Sequence, residues 1–339
     1  MGPGGDVDMT DATTRGPGAA GSARTVVTVT PNPSLDRALE VDRLDVGEVN
    51  RAHAVHVHPG GKGINVARAL VRHGEAALAV VPVGGADGTR LVTLLAQHGV
   101  PAVPVPVSGD TRTNVTLVEA DGATTKVNAP GPRLSDAEVD ALLAAVEDQL
   151  VTAPRAVVAA GSLPAGAGDA FFVRLTGLAG RHGVPVVLDT SGAPLARAVR
   201  AGGLCLVKPN TEELAELVGG DLVTVGDVVE AAREVIALGT SAVLASLGAH
   251  GALLVLADAT WWAGGPPLVP LSTVGAGDST LAGFLAGTGT GAERLRTGVA
   301  WGRAAVLLPG TEVPAPAQID LDAVRVVEGP DPGLALKEL

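Results

Sequence analysis

Between residues 156 and 189 the chain reads Ala156-Val157-Val158-Ala159-Ala160, then a helical pattern from Ala170 to Arg181, then Val184-Pro185-Val186-Val187-Leu188-Asp189. The outer runs are apolar and of strand length, and the segment between them is long enough for one crossover helix. Strands joined in this way run parallel, with the crossover right-handed. The alternation extends both ways. Upstream, Thr25-Val26-Val27-Thr28-Val29-Thr30 is β-branched throughout and stopped by Pro31-Asn32-Pro33, and Ala77 to Val83 is a second apolar run. Downstream come Leu204 to Lys208 and Ala242 to Ser246. Helical patterns at Ile64 to His73, Leu91 to His98, Ser135 to Leu150 and Val228 to Leu238 lie between the strands, and Ser135 with Glu138 three residues on marks a capped helix start. The expected fold is α/β, a mostly parallel central sheet flanked by helices on both faces.

Residues 37 to 58 and 103 to 130 break the alternation. His53 to His58, Asn114 to Glu119 and Thr124 to Val127 are β-type segments with no helix between them, which predicts a small separate sheet, a lid over a site at the strand ends. Residues 1 to 23 are rich in Gly, Pro, Asp, Thr and Ala and carry no periodicity, so they read as a disordered extension ahead of one domain spanning 24 to 339.

Hydrophobic residues make up 46% of the 339 but aromatics only 2%, so the core must be built from Ala, Val and Leu, which suits buried parallel strands. The formal charge of −12 gives no electrostatic reason to expect nucleic acid or an anionic membrane as partner. An anionic ligand would need local cations, and the few lysines, Lys62, Lys126, Lys208 and Lys337, become positions to inspect. The single Cys205 excludes an intrachain disulfide and reads as a core thiol. No run of 18 apolar residues and no signal pattern occur, so the expected location is the cytoplasm.

Two glycine turns open helices. In Ser272-Thr273-Val274-Gly275-Ala276-Gly277-Asp278-Ser279, Gly275 and Gly277 let several N–H groups converge at a helix N-terminus, a cradle for a phosphate or a developing oxyanion. Asp278 lands in the first turn, where it can take a proton from an attacking hydroxyl, or merely complement the helix dipole. Pro59-Gly60-Gly61-Lys62-Gly63-Ile64-Asn65 likewise leads into a helix, but its spacing is neither a P-loop nor a dinucleotide fingerprint. Asp36 could accept two sugar hydroxyls, and Arg112, near Asn114, could fork onto a phosphate. Ser246-Leu247-Gly248-Ala249-His250-Gly251 is a glycine loop after a strand. In Lys208-Pro209-Asn210-Thr211-Glu212-Glu213, Asn210 and Glu213 share a helix face and could bind the waters of a Mg²⁺ ion, or form a capping box.

In this order the segments resemble the phosphofructokinase-B-type carbohydrate kinases of the ribokinase-like superfamily, over about residues 25 to 327. Gly60 to Asn65 looks like the first family signature and Ser272 to Ser279 like the second. The resemblance implies a ribokinase-like fold with a β-lid, ATP and Mg²⁺ as cosubstrates, and a homodimer formed through the lids. It implies Asp278 as proton acceptor, Gly275, Ala276 and Gly277 as anion hole, and Asp36, Gly60, Gly61, Lys62, Asn65 and Arg112 as the sugar-phosphate site. Lys208 and Asn210, with Ser246, Leu247, Gly248, Ala249, His250 and Gly251, would follow the nucleotide, and Asn210 with Glu213 would serve the metal through water. Thr30 to Asp36, Gly161-Ser162-Leu163-Pro164 and Lys208-Pro209-Asn210 resemble the 1-phosphofructokinase and tagatose-6-phosphate kinase branch, and fructose 1-phosphate is the expected substrate. Fructose 6-phosphate, tagatose 6-phosphate and a non-catalytic sugar-phosphate sensor are the alternatives.

Overall fold

The computed structural model describes residues 25–339, and the stretch read as a disordered extension, 1 to 23, lies outside the described residues. The first half runs β1 (Val26–Val29), β2 (Ser34–Val41), β3 (Ala54–Gly60), α1 (Lys62–Arg72), β4 (Ala77–Val83), α2 (Gly85–Gln97), β5 (Ala102–Pro106), β6 (Arg112–Glu119), β7 (Thr124–Val127) and α3 (Asp136–Leu150). The second continues β8 (Ala156–Ala160), α4 (Phe171–Arg181), β9 (Val186–Asp189), α5 (Gly192–Ala201), β10 (Leu206–Val207), α6 (Thr211–Val218), α7 (Val225–Ala237), β11 (Ala242–Ser246), β12 (Ala252–Val255), β13 (Thr260–Gly264), α8 (Ala276–Ala286), α9 (Gly291–Ala305) and β14 (Arg325–Glu328).

The large sheet has the order β14-β13-β12-β11-β10-β9-β8-β1-β4-β5, parallel from β5 to β11 and antiparallel beyond it. Because side chains alternate across a strand, the buried strands feed two cores. Val27, Val29, Val157 and Ala159 join one, with Leu142 of α3, Phe171 and Leu175 of α4 and Val228 of α7. Val26, Val158 and Ala160 join the other, with Leu70 of α1, Leu91 of α2 and the helices α8 and α9. This is the α/β fold the alternation predicts.

Three expectations on the course of the chain need amending. Residues 102–106 do not belong to the insertion read as 103 to 130: β5 pairs in parallel with β4 and forms an edge of the large sheet, where Pro104 and Pro106 are tolerated because an edge strand needs only one of its two hydrogen-bonding sides. The second insertion enters the small sheet only at Arg112. Helix α2 begins at Gly85, before the expected Leu91, since the glycines Gly84, Gly85 and Gly88 mask its start. Helix α9 is absent from the sequence reading because Gly291, Gly298 and Gly302 look like breakers. Tertiary packing overrides the propensity: Gly298 lets α9 approach Thr280 and Phe284 of α8, where a Cβ would press into backbone.

The small sheet has the order β3-β2-β6-β7, with β2 parallel to β6 and the other pairs antiparallel. Its register sets Asp36 beside Asn114 and Ser34 beside Arg112, so the β insertions bring polar residues far apart in sequence to the edge of the large sheet. Asp87 of α2 accepts from Thr113 Oγ1 at 2.9 Å and pairs with Arg37 at 3.4 Å, tying the small sheet to α2.

Candidate active site

Parallel strands end in a row, and their carboxyl ends are where an α/β sheet collects its functional loops. A cavity of about 470 Å³ opens there, lined by Thr30 after β1, Gly161 after β8, Asp189 at the end of β9, Lys208 after β10 and Ser246 at the end of β11. Asp36, Arg112 and Asn114 reach it from the small sheet, Gly61, Lys62 and Asn65 from the start of α1, and Gly275, Gly277 and Asp278 from the start of α8.

Gly275 caps α8 with φ 78, a left-handed conformation that favours glycine. The first helical hydrogen bond runs from Ser279 N to Gly275 O at 2.9 Å, so the amides of Ala276, Gly277 and Asp278 are the orphan donors of the helix start. Asp278 is 6% exposed and accepts from Asn65 Nδ2 at 2.8 Å. Burial, then the negative charge of Asp189, pushes its pKa up to about 6, against the Asn65 hydrogen bond and the charges of Lys208 and Lys62. A carboxylate so placed is charged at neutral pH, yet far more basic than an exposed Asp, which is what a proton acceptor needs.

Asp189 organises the floor. Its Oδ1 lies 2.7 Å from Lys62 Nζ and its Oδ2 3.0 Å from Lys208 Nζ, and the carboxylate is 1% exposed. Burial works against its charge, but Lys208 and Lys62 hold its pKa below the ordinary value. Burial likewise opposes the charge of Lys62, which the contact with Asp189 overrides, so that its pKa is raised. The amino group of Lys208 sits 3.2 Å from where a Cβ on Gly277 would stand. The two lysines stand beside the open amides of α8, and together they offer N–H donors suited to phosphate oxygens.

At the other end, Asp36 Oδ1 accepts from Ser34 Oγ at 2.8 Å and from Asn114 Nδ2 at 2.9 Å, which leaves Oδ2 as the oxygen for a ligand hydroxyl. A side chain at Gly60 would collide with this carboxylate, which accounts for the glycine. Arg112 donates to Ala129 O at 2.9 Å from Nη1 and to Asn32 O at 3.0 Å from Nη2, which fixes its guanidinium plane and leaves each terminal nitrogen one further N–H, while Nε is buried without a partner.

Of the expected nucleotide residues, Lys208, Asn210 and Ser246 line the cavity. Gly248–His250 form a 3-10 turn outside that lining, and Leu247 is 5% exposed with its side chain in the core and its backbone bonded within the turn, its N–H to Gly251 O at 2.8 Å and its C=O from His250 N at 3.1 Å. Gly60 and Ala276, each next to a lining glycine, are not themselves among the lining residues. Asn210 and Glu213 form a reciprocal capping box, Glu213 N to Asn210 Oδ1 at 2.7 Å and Asn210 N to Glu213 Oε2 at 2.9 Å, and both also line the cavity. Among the described residues no group of three or more His, Cys, Asp or Glu side chains could hold a metal directly. Glu213, on the cavity wall, is the acidic oxygen donor that would hold a hydrated magnesium ion here.

A model of the pfkB family of carbohydrate kinases matches residues 30–318. The chain belongs to that family. A 1-phosphofructokinase of Xanthomonas campestris is 42% identical to this carbohydrate kinase over 269 residues, covering 77% of this chain and 83% of the relative. An ATP-dependent 6-phosphofructokinase isozyme 2 of Escherichia coli is 38% identical over 295 residues, 85% and 94% of the two chains. The crystal structure of phosphofructokinase-2 from Escherichia coli in complex with substrates and products superposes with a TM-score of 0.80 at 37% identity, over 87% of this chain and 97% of that one. No helix among the described residues is long and apolar enough to cross a membrane.

Among the charged residues that line the cavity, Asp189 is the one that the sequence reading omits. It appears there only as the last residue of a strand, and its signal is the pairing of a strand-terminal acid with two of only four lysines.

Proposed function

We propose that this kinase transfers the γ-phosphoryl group of ATP to O6 of fructose 1-phosphate, giving fructose 1,6-bisphosphate and ADP. The observation that carries the phosphotransfer is Asp278, a buried, basic carboxylate at the open N-terminus of α8, in one cavity with Asp36 and Arg112. Asp278 takes the proton of the attacking hydroxyl, and the orphan amides of Ala276 and Gly277 with Lys208 receive the charge on the phosphoryl oxygens. Lys62 has Asp189, Asp278 and Glu213 as its electrostatic neighbours, whereas Arg112 has Asp36. The two cations therefore divide the work: Lys62 faces the phosphoryl group in transfer, and Arg112 grips the phosphate the sugar already bears. The family implies ATP, and magnesium bound to its phosphates would neutralise their charge.

The choice of the 1-phosphate is supported by the Thr30 to Asp36 opening, by Lys62 and by the 42% identity to a 1-phosphofructokinase. Fructose 6-phosphate is the second reading, favoured by the similarity to the isozyme 2 relative. An ADP-release assay with Mg-ATP over a panel of ketose and aldose phosphates decides. Fructose 1-phosphate is expected to give the highest kcat/KM and free fructose to be poor. A preference for fructose 6-phosphate or tagatose 6-phosphate overturns the isomer, and no turnover with any sugar phosphate overturns the enzyme in favour of a sensor. Arg112→Met is expected to raise KM for the sugar phosphate far more than for ATP, since a lost charged hydrogen bond costs roughly 1.5–3 kcal/mol. Equal effects on both substrates would remove Arg112 from the phosphate site.

The small sheet acts in this reading as a lid that excludes water, so that ATP is not hydrolysed. Saturating sugar phosphate is expected to slow hydrogen exchange in residues 34–60 and 112–127, and unchanged exchange there would refute the lid. Pairing of two lids in a homodimer is supported by Val55 and Val127, 57% and 61% exposed on the small sheet, and sedimentation of the intact chain measures it.

A further inference from the structure

Asn65 can serve Asp278 in only one of its two amide orientations. With Nδ2 toward the carboxylate it donates a hydrogen bond, at 2.8 Å; flipped, it would set Oδ1 against a negative charge. Something must select between them. On the far side of Asn65, one turn along α1, Arg68 Nη1 donates to Asn65 Oδ1 at 3.3 Å and to Thr311 O at 3.3 Å. A guanidinium offers donors only, so it accepts the amide oxygen as neighbour and rejects the amide nitrogen. Arg68 is 5% exposed, makes no ion pair within 4.0 Å among the described residues, and its Nε has no hydrogen-bond partner. A buried cation without a carboxylate partner is costly to keep, and its two side-chain and backbone bonds both lead to the active-site wall. Thr311 itself lines the cavity and packs within 3.8 Å of where a Cβ of Gly275 would stand, and Ser272 Oγ donates to Gly310 O at 3.0 Å.

We infer that Arg68 is a positioning residue for the phosphoryl transfer, holding the Asn65 amide in the one orientation that keeps Asp278 ionised and aimed, and tying that amide to the 310–311 loop behind the anion hole. The inference rests on Asp278 being the proton acceptor. Its effect passes through Asn65: the charges that bear on Asp278 are those of Asp189, Lys208 and Lys62, while those that bear on Arg68 are Asp36 and Glu312. Without Arg68 the amide is free to turn, Oδ1 then accepts a hydrogen bond from the O–H of the acid form of Asp278, and the acid form gains at the expense of the base.

The test is the pH profile of kcat for Arg68→Met and Arg68→Gln, with melting temperature and ATP binding measured alongside. The acid limb is expected to move up by about one pH unit in both, so that turnover falls several-fold more at pH 6 than at pH 8. In an Asn65→Leu background Arg68→Met should add no further shift. Arg68→Lys, which keeps a donor and the charge but not the planar fork, should lie between, and it carries the test if the Met and Gln variants do not fold. His58 stands beside Arg68, its pKa lowered by burial and then by that charge, so the comparison is repeated with His58→Gln to keep its titration out of the limb. An acid limb left in place in the folded variants, with turnover reduced equally at every pH, would mean that Arg68 merely supports the wall. Asp278→Asn separates the two readings: if that variant keeps its turnover, the proton-acceptor assignment fails first, whereas a dead Asp278→Asn beside an unmoved limb defeats only the role of Arg68.

Discussion

Asp278→Asn is expected to lower turnover by on the order of 10²-fold or more and to leave ATP binding in place, because the amide keeps the shape of the carboxylate but cannot take a proton. Stability should move the other way. Folding raises the pKa of Asp278 to about 6, above the value of about 3.9 in an unfolded chain. A group raised in this way favours the folded state below pH 4 and loses that contribution as pH climbs through 6, so at pH 7 to 8 the ionised carboxylate is a net burden on the order of 3 kcal/mol. Asn carries no charge to bury, and the variant should melt at the same temperature or higher at pH 7.5. In the unmodified enzyme the same titration is expected to make kcat rise with pH through about 6 and then level. Near-normal turnover in the variant would show that positioning by the α8 amides suffices, and an inactive variant with a lowered melting temperature would show that Asp278 is needed for folding instead.

Asp189→Ala should cost about 3–5 kcal/mol of stability, read from denaturant unfolding, because it strands the 6% exposed side chain of Lys208 as an unpaired cation and leaves Lys62 beside it with the same charge. The loss acts on chemistry too. Asp278 would lose the negative neighbour that helps to raise its pKa, so the acid limb of any residual activity should slide to lower pH. A loss below about 1 kcal/mol would mean that the lysines find a substitute carboxylate. Asp278 is the nearest candidate, and turnover would then collapse without a change in stability.

The parts of the site that the sequence displays are those written locally. Gly275 to Asp278 and Gly60 to Asn65 are contiguous turns whose glycines and first-turn polar groups dictate a helix start wherever it falls, and the β-branched and apolar runs dictate buried parallel strands. Asn210 and Glu213 show the same thing from another side, since both readings of that pair, cap and cavity wall, are present at once. What local pattern cannot display is a role conferred from a distance. Asp189 becomes a charge centre because Lys62, 127 residues away in sequence, lies against it together with Lys208, and Arg68 ties Asn65 to the cavity wall because Thr311 meets it, 243 residues on. Helix α9 and strand β5 are hidden for a related reason: the glycines of one and the prolines of the other are penalties in isolation, cancelled by a neighbouring helix and by a place at the sheet margin.

That margin has a further property. Val107 N donates to Val83 O, so odd-numbered amides of this stretch turn toward β4 and even-numbered positions turn outward. Both outward positions of β5, apart from Ala102 at its start, are proline, with no hydrogen to offer. A strand from another molecule that approached this side would find carbonyls without their alternating donors and could not continue the ladder, so in a crowded solution the ten-stranded sheet ends at β5 instead of growing from one molecule into the next.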